Sequence, residues 1–272
     1  MKLFIDSASL EEVEKAYSIG IIDGVTTNPS LIKQALDELK KKKRKTDLTN
    51  YINELLATAK GTPVSLEVTK SDAESMIEEG TSLYHKFNPI ANNVCIKIPI
   101  NTSLTGKAKN TEGLRAIKAL SQARIPVNAT LVFTPEQALM AAKAGAKYVS
   151  IFVGRVDDYI RNQHGIGFEK GDYFPAEGIR KGDAHVQDNG IVSGIDVLAK
   201  SCQIFRLYGL KSEILAASIR NSRQLREAAL AGSHIATLPF EVLQSALVHP
   251  KTIEGVKHFT EDVPFEYAKL GK

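Results

Sequence analysis

Cysteine is scarce in this chain: Cys95 and Cys202 are the only two in 272 residues, and neither belongs to a CxxC pair or a Cys/His cluster. There is thus no signature of a disulfide framework or a structural zinc site. Long apolar runs are missing too. No stretch approaches about 18 apolar residues, and Met1-Lys2-Leu3-Phe4-Ile5-Asp6 lacks the apolar segment of about 7 to 15 residues found in a secretory leader. Neither secretion nor membrane spanning is expected, and a reducing cytoplasm is the expected compartment. Excess charge is also small, since a formal net charge of +4 does not mark a nucleic-acid protein. The local exception is Lys40-Lys41-Lys42-Lys43-Arg44-Lys45; without interleaved aromatics it reads as the solvated end of a helix and carries no function. None of the six histidines has HExxH or similar spacing, so no metal is implied. Gly165-Ile166-Gly167 neither follows a strand nor opens a helix, which sets aside a nucleotide loop.

What is present is an alternation of short apolar runs with longer segments of helical period, the pattern of repeated βα units around a parallel sheet. Eight strands are predicted, at Lys2 to Asp6, Asp23 to Thr27, Pro63 to Val68, Asn93 to Ile98, Pro126 to Phe133, Tyr148 to Val153, Glu213 to Ser218 and His234 to Leu238. Helical patterns fall between them, over Leu10 to Ile19, Ser71 to Phe87, Thr111 to Ala123, Pro135 to Ala144, Ile191 to Tyr208 and Ser222 to Ala231. Ser9 and Thr134 stand where helices start, and Gly145, Gly209 and Gly232 where they stop. Eight such units in about 250 residues is the size of a closed (β/α)8 TIM barrel; a doubly wound open sheet is the competing architecture. The expectation is one domain over 1–272, with a loop insertion at about 155–190 and C-terminal helices from about 239. The insertion is polar, with six glycines in 36 residues, and a loop of that length in a compact domain is a functional lid or a disordered insert.

Lys97 is the residue that fits its surroundings least. It interrupts the apolar run Val94-Cys95-Ile96-Lys97-Ile98, where nothing about strand propensity asks for an amine. On a half-exposed antiparallel strand it would simply face water. On a parallel strand covered by helices, Ile96 and Ile98 face the helices and Lys97 faces the interior. Burial disfavours a charged amine, and a neutral one is what attack on a carbonyl requires.

The other strand ends bear on that choice. Asp6 ends strand one, Thr26 and Asn28 share a face of strand two, and Glu67 closes strand three. Asn128 and Thr130 pair in the same way on strand five, Ser150 and Phe152 on strand six with Arg155 just beyond, and Ser218 and Arg220 on the exit of strand seven. Each alone has an ordinary reading: Asp6 as a helix cap, Asn28 as a turn residue before proline, Thr130 as a β-former, Arg220 as a surface cation. Together, seven strands offer a polar group near one rim, where a purely structural barrel would place aliphatics. Asp6 and Glu67 can move protons around Lys97, hydroxyls and amides can orient a polyol, and Arg155, Ser218 and Arg220 form a phosphate clamp.

The motifs Phe4-Ile5-Asp6-Ser7-Ala8, Gly24-Val25-Thr26-Thr27-Asn28-Pro29-Ser30, Ile96-Lys97-Ile98-Pro99, Asn128-Ala129-Thr130-Leu131-Val132-Phe133, Ser150-Ile151-Phe152-Val153-Gly154-Arg155 and Ala217-Ser218-Ile219-Arg220-Asn221 resemble those of the transaldolases, in the group that includes fructose-6-phosphate aldolase. The resemblance implies that Lys97 forms a Schiff base, Asp6 transfers protons, and Glu67 activates the catalytic water with Thr130 as its hydroxyl partner. It further implies that Asn28 and Asn128 hold substrate hydroxyls beside Thr26, Ser150 and Phe152, and that Arg155, Ser218 and Arg220 hold the phosphate. The related aldolase has glutamine where Glu67 stands and tyrosine where Phe152 stands, so both positions imply transfer rather than release. No cofactor is implied. The implied partners are sugar phosphates, with no nucleic acid and no membrane, and a homo-oligomer, dimer or decamer. Asn101 to Asn110 and Asp172 to Glu177 depart from the compact members of the group. Two other readings stand beside this one: an aldolase releasing dihydroxyacetone, and a barrel that binds sugar phosphates without catalysis.

Overall fold

The computed structural model describes residues 1–41, 47–104 and 110–270. Ten strands occur in chain order: β1 (Lys2–Asp6), β2 (Gly24–Thr26), β3 (Val64–Glu67), β4 (Val94–Pro99), β5 (Val127–Val132), β6 (Tyr148–Phe152), β7 (Arg180–Lys181), β8 (Ala184–His185), β9 (Glu213–Ala217) and β10 (Ile235–Leu238). The helices are α1 (Leu10–Ser18), α2 (Pro29–Lys41), α3 (Leu48–Thr58), α4 (Ala73–Ala91), α5 (Glu112–Gln122), α6 (Pro135–Ala144), α7 (Val153–Gln163), α8 (Gly194–Leu207), α9 (Ser222–Leu230), α10 (Phe240–Ser245), α11 (Pro250–Glu261) and α12 (Phe265–Ala268). Of the basic run, Lys40 and Lys41 end α2; 42–45 lie outside the described residues, as do 105–109 of the segment after β4.

Eight strands, all but β7 and β8, form a closed parallel barrel in the order β1-β10-β9-β6-β5-β4-β3-β2. Pairing of Lys2 with Ile235 and of Phe4 with Thr237 closes it, which rules out the open doubly wound sheet. Every predicted strand is present within one residue at each end. Helix starts follow the local chemistry: Ser9, Asp72, Thr134, Ser193 and Asn221 each accept a hydrogen bond from the backbone N–H three residues on. Gly145, at φ +101°, ends α6 in the left-handed conformation that glycine adopts without strain.

Two apolar layers result. Ile96 and Ile98 are fully buried between barrel and helices, along with Ile5, Val25, Val64, Ile151 and Ile214; each such side chain stabilises the fold by about 1.5–3 kcal/mol. Inside the barrel a smaller cluster of Phe4, Cys95, Tyr148, Leu215 and Ile235 fills the lower layers. Gly24 is required there, because a β-carbon at that position would sit 2.7 Å from the Phe4 ring. The apolar fill stops partway up. Above it Asp6, Thr26, Lys97 and Ser150 face the cleft beside Phe152 and Ala217, and that is where the site lies.

One expectation is corrected. The stretch read as a loop at 155–190 begins as helix, since α7 covers Val153–Gln163. It starts with no intervening turn, and its first position has no side-chain cap. Asp157 and Arg161 on its inner face are buried at 2% and 3% exposure, so the polar residues that suggested a loop point inward. The remainder, 164–193, is loop carrying the β7–β8 ribbon.

Candidate active site

Lys97 lies midway along β4, in register with Glu67 of β3 and Asn128 of β5. It is 4% exposed. Its Nζ lies 3.2 Å from Glu67 Oε2 and donates to the Thr27 carbonyl at 3.0 Å. A buried ion pair holds only when geometry and extra hydrogen bonds compensate desolvation, and both are supplied by neighbouring strands.

Asp6, at the end of β1, accepts a 2.7 Å hydrogen bond on Oδ1 from Thr26 Oγ1, which in turn lies 2.6 Å from Thr237 Oγ1 of β10. Burial pushes the Asp6 carboxyl above the usual carboxylate value, while the charge of Lys97, the Thr26 hydroxyl, Arg155 and Lys170 act in the opposite sense. On the far wall, Asn128 Nδ2 donates to Ser65 Oγ at 3.1 Å and its Oδ1 accepts from Ser150 Oγ at 2.7 Å. This chain fixes the amide of Asn128 directly beside Lys97. Thr130 is fully buried, and among the described residues its Oγ1 has no hydrogen-bond partner, an unmet demand that a buried hydroxyl rarely tolerates unless something else fills it. Cys95, one layer below Lys97, is not a competing nucleophile, because burial pushes its thiol up to about 12.

Lys97 forms the floor of a cleft of about 530 Å³ at the C-terminal mouth of the barrel. Asp6, Thr26 and Asn28 line it from the early strands; Ser150, Phe152 and Arg155 from β6 and α7; Ser218 and Arg220 from the exit of β9. Glu67 and Asn128 stand behind this lining in register with Lys97, and Thr130 two residues further along β5 in register with Pro99. Asn28 also has an ordinary task, for its Oδ1 accepts from Leu31 N–H at the start of α2.

Arg155, Ser218 and Arg220 are brought together in the cleft lining, and the two arginines differ in what they already meet. Arg220 meets Asp158 through both terminal nitrogens at 2.5 Å, so its cation is already offset. Arg155 is exposed and stacks over the Phe152 ring, 4.9 Å from its centroid. Ser218 adopts φ +59°, and a β-carbon on Gly154 would lie 2.5 Å from the Ser218 carbonyl, so this glycine is what lets the two loops close up. Behind them Asp157 accepts from Gly194 N–H at 2.7 Å and from Gln224 Nε2 at 2.9 Å, and Gln224 Oε1 accepts the Arg220 backbone N–H at 2.9 Å. Burial holds the Asp157 carboxyl up at about 7 against the opposing Gly194 N–H and Arg161 charge.

Several lining groups escaped the sequence reading. Thr237 had the same signal as its counterparts, a polar residue at a strand end, and makes β10 the eighth contributor. Lys170, Gln34 and Glu241 sit in a loop or on helices, where no periodicity distinguishes them. The Thr27 carbonyl that holds Lys97 is backbone, invisible to side-chain patterns.

The chain matches the family model described as Transaldolase/Fructose-6-phosphate aldolase over residues 3–269. A protein named "Probable transaldolase" from Geobacillus thermodenitrificans is 38% identical over 262 residues, 96% of this chain and 98% of that one. One from Alkaliphilus metalliredigens, also named "Probable transaldolase", is 39% identical over 262 residues, 96% and 97% of the two chains. Among solved structures, a putative lactate oxidase from Pediococcus acidilactici superposes with a TM-score of 0.48 at 14% identity, over 88% of this chain and 62% of its own.

Proposed function

Because the chain belongs to the Transaldolase/Fructose-6-phosphate aldolase family, we propose that it transfers a dihydroxyacetone unit between sugar phosphates of the pentose phosphate pathway. The donor is a ketose phosphate, sedoheptulose 7-phosphate or fructose 6-phosphate; the acceptor is an aldose phosphate, glyceraldehyde 3-phosphate or erythrose 4-phosphate. The observation that carries this reading is a lysine 4% exposed on a cleft floor, with a carboxylate 3.2 Å from its amine.

Glu67 takes the proton that Lys97 must lose, and the free amine attacks the C2 carbonyl. Loss of water gives a protonated imine. Asp6 then accepts the C4 hydroxyl proton, the C3–C4 bond breaks, and its electron pair moves onto the imine nitrogen as the aldose phosphate departs. The resulting enamine attacks the aldehyde of the acceptor, Asp6 returns the proton to the new hydroxyl, and water held by Glu67 and Thr130 hydrolyses the imine. The imine nitrogen serves as electron sink, so the scheme calls for no metal or organic cofactor. Asn28, Asn128 and Ser150 hold substrate hydroxyls, while Arg155, Ser218 and Arg220 hold the phosphate. Phe152 packs on Phe133, with ring centroids 5.8 Å apart, and has no proton to give the enamine, which favours transfer over release.

The test is an acceptor-dependent assay. Fructose 6-phosphate with erythrose 4-phosphate is expected to yield glyceraldehyde 3-phosphate, with little turnover when the acceptor is omitted. Appreciable free dihydroxyacetone without an acceptor would reassign the chain to the aldolase side of the family.

The proposal extends to a cytoplasmic homo-oligomer. No helix of the described residues is long and apolar enough to cross a membrane. The C-terminal helix α11 buries none of its residues, and Ile253, Val256 and Phe259, at spacings that share a face, are 63%, 61% and 74% exposed. A second copy covering this face would remove it from water. Light scattering is expected to give a multiple of 29.7 kDa; a single-chain mass at micromolar concentration would dismiss the oligomer.

A further inference from the structure

The segment after α7 is tied down where it crosses the barrel mouth. Phe174 is 1% exposed, and the Arg161 guanidinium lies between the rings of Phe168 and Phe174, at 4.8 and 4.9 Å from their centroids. Arg161 Nη2 also donates to the carbonyls of Asp172 and Tyr173 at 3.1 and 2.9 Å. Closer to the site, the Lys170 carbonyl accepts from Arg220 Nη1 at 3.2 Å and the Gly171 carbonyl from Asn221 Nδ2 at 3.4 Å. These bonds engage the backbone and leave the side chain of Lys170 to line the cleft with Arg155, Arg220 and Asp6.

The charge balance of that lining gives Lys170 a task. Arg220, the cation deepest in the clamp, is neutralised in place by Asp158. Among the described residues neither Arg155 nor Lys170 has a carboxylate within ion-pair distance, and the carboxylates lining the cleft are Asp6 and Glu241. A doubly charged phosphate needs more positive charge than Arg155 alone supplies.

We propose that Lys170 is a specificity-determining residue of this enzyme, a cation delivered by the 164–193 loop that binds the phosphate of the sugar phosphate together with Arg155 and so selects phosphorylated over unphosphorylated substrates. The inference rests on the sugar-phosphate reading above and adds to it a residue outside the strand-end constellation.

Lys170→Met and Lys170→Arg test it. Anchoring runs through the residue 170 carbonyl, so both variants keep the loop in place. In Lys170→Met the KM for fructose 6-phosphate and the dissociation constant for inorganic phosphate, measured by calorimetry, are expected to rise about three- to tenfold. Turnover at saturation stays within about twofold, and borohydride trapping with unphosphorylated dihydroxyacetone is unchanged. Lys170→Arg restores most of the phosphate affinity. Equal phosphate binding by wild type and Lys170→Met, or no phosphate binding by the wild type, overturns the inference. A wild type that binds phosphate through Lys170 yet neither traps nor transfers a ketose unit overturns the transfer reading and leaves the Lys170 site standing.

Discussion

Lys97→Met protein incubated with fructose 6-phosphate and borohydride is expected to incorporate no sugar, and its transfer rate to fall by about four orders of magnitude or more. Loss of the amine paired with Glu67 on the cleft floor removes the group that the scheme uses as its electron sink. The same change has a structural cost that must be separated from the chemical one. Glu67, with a side chain 13% exposed, loses its counter-ion, and an orphaned buried charge costs about 3–5 kcal/mol; the partial exposure puts this case at about 3 kcal/mol or below. The double variant Lys97→Met/Glu67→Gln should regain part of that stability in urea unfolding and none of the activity. Sugar incorporation undiminished in Lys97→Met would end the Schiff-base assignment. Recovery of activity with recovery of stability would show that Lys97 merely holds the barrel together.

Asp6→Asn is expected to separate imine formation from cleavage. The variant should still trap donor sugar with borohydride, because Glu67 and Lys97 are intact, while transfer drops about 10²- to 10⁴-fold through loss of the proton acceptor at the C4 hydroxyl. In the wild type this group is also expected to set an acid limb of the rate. Its carboxyl is raised above 3.8 chiefly by burial, and only the carboxylate can take the proton. The rate therefore falls as pH drops through a value above 3.8. Thr26→Val removes the hydroxyl that favours the carboxylate and should move the limb higher still. For stability the sign is reversed: the folded chain holds this proton to a higher pH than the unfolded one, so the contribution is complete below 3.8 and lost as pH rises through the folded value. Normal turnover by Asp6→Asn, or a limb unmoved in Thr26→Val, would remove Asp6 from its role.

Strands and site were legible through the same property. A parallel strand has a two-residue period, and its outer face must be aliphatic; any polar residue on the inner period, such as Lys97 between Ile96 and Ile98 or Asn128 between Val127 and Ala129, stands out without a structure. Thr237 meets that criterion only weakly, because one hydroxyl in a four-residue strand is a small departure from an aliphatic pattern. Helix α7 was hidden for the opposite reason. Asp157 and Arg161 face inward, the first bonded to Gly194 and Gln224 and the second to the carbonyls of Asp172 and Tyr173, so the polarity that marks a solvent-exposed face lies on the buried one. Lys170 could not have been found, since its place depends on carbonyl contacts to Arg220 and on rings stacked against Arg161, none of which has a sequence period. Nor could the pairing of Arg220 with Asp158, 62 residues apart, which changes what the clamp can offer an anion.

Barrel closure has a consequence for when activity can exist. Asp6 lies on the first strand of the barrel, yet the hydroxyl pair that orients it joins Thr26 to Thr237 across 211 residues of chain, and its strand is flanked on one side by β10. A ribosome-bound chain that has not yet released β10 can form the β3–β4–β5 ladder with Lys97, Glu67 and Asn128 in register, but its proton-transfer group faces an open edge. Such long-range closure comes late in folding. On the proposed scheme, a chain that lacks β10 holds the Lys97–Glu67 pair without the Thr237 support of Thr26 and Asp6, and the two halves of the site come together only once β10 has been made.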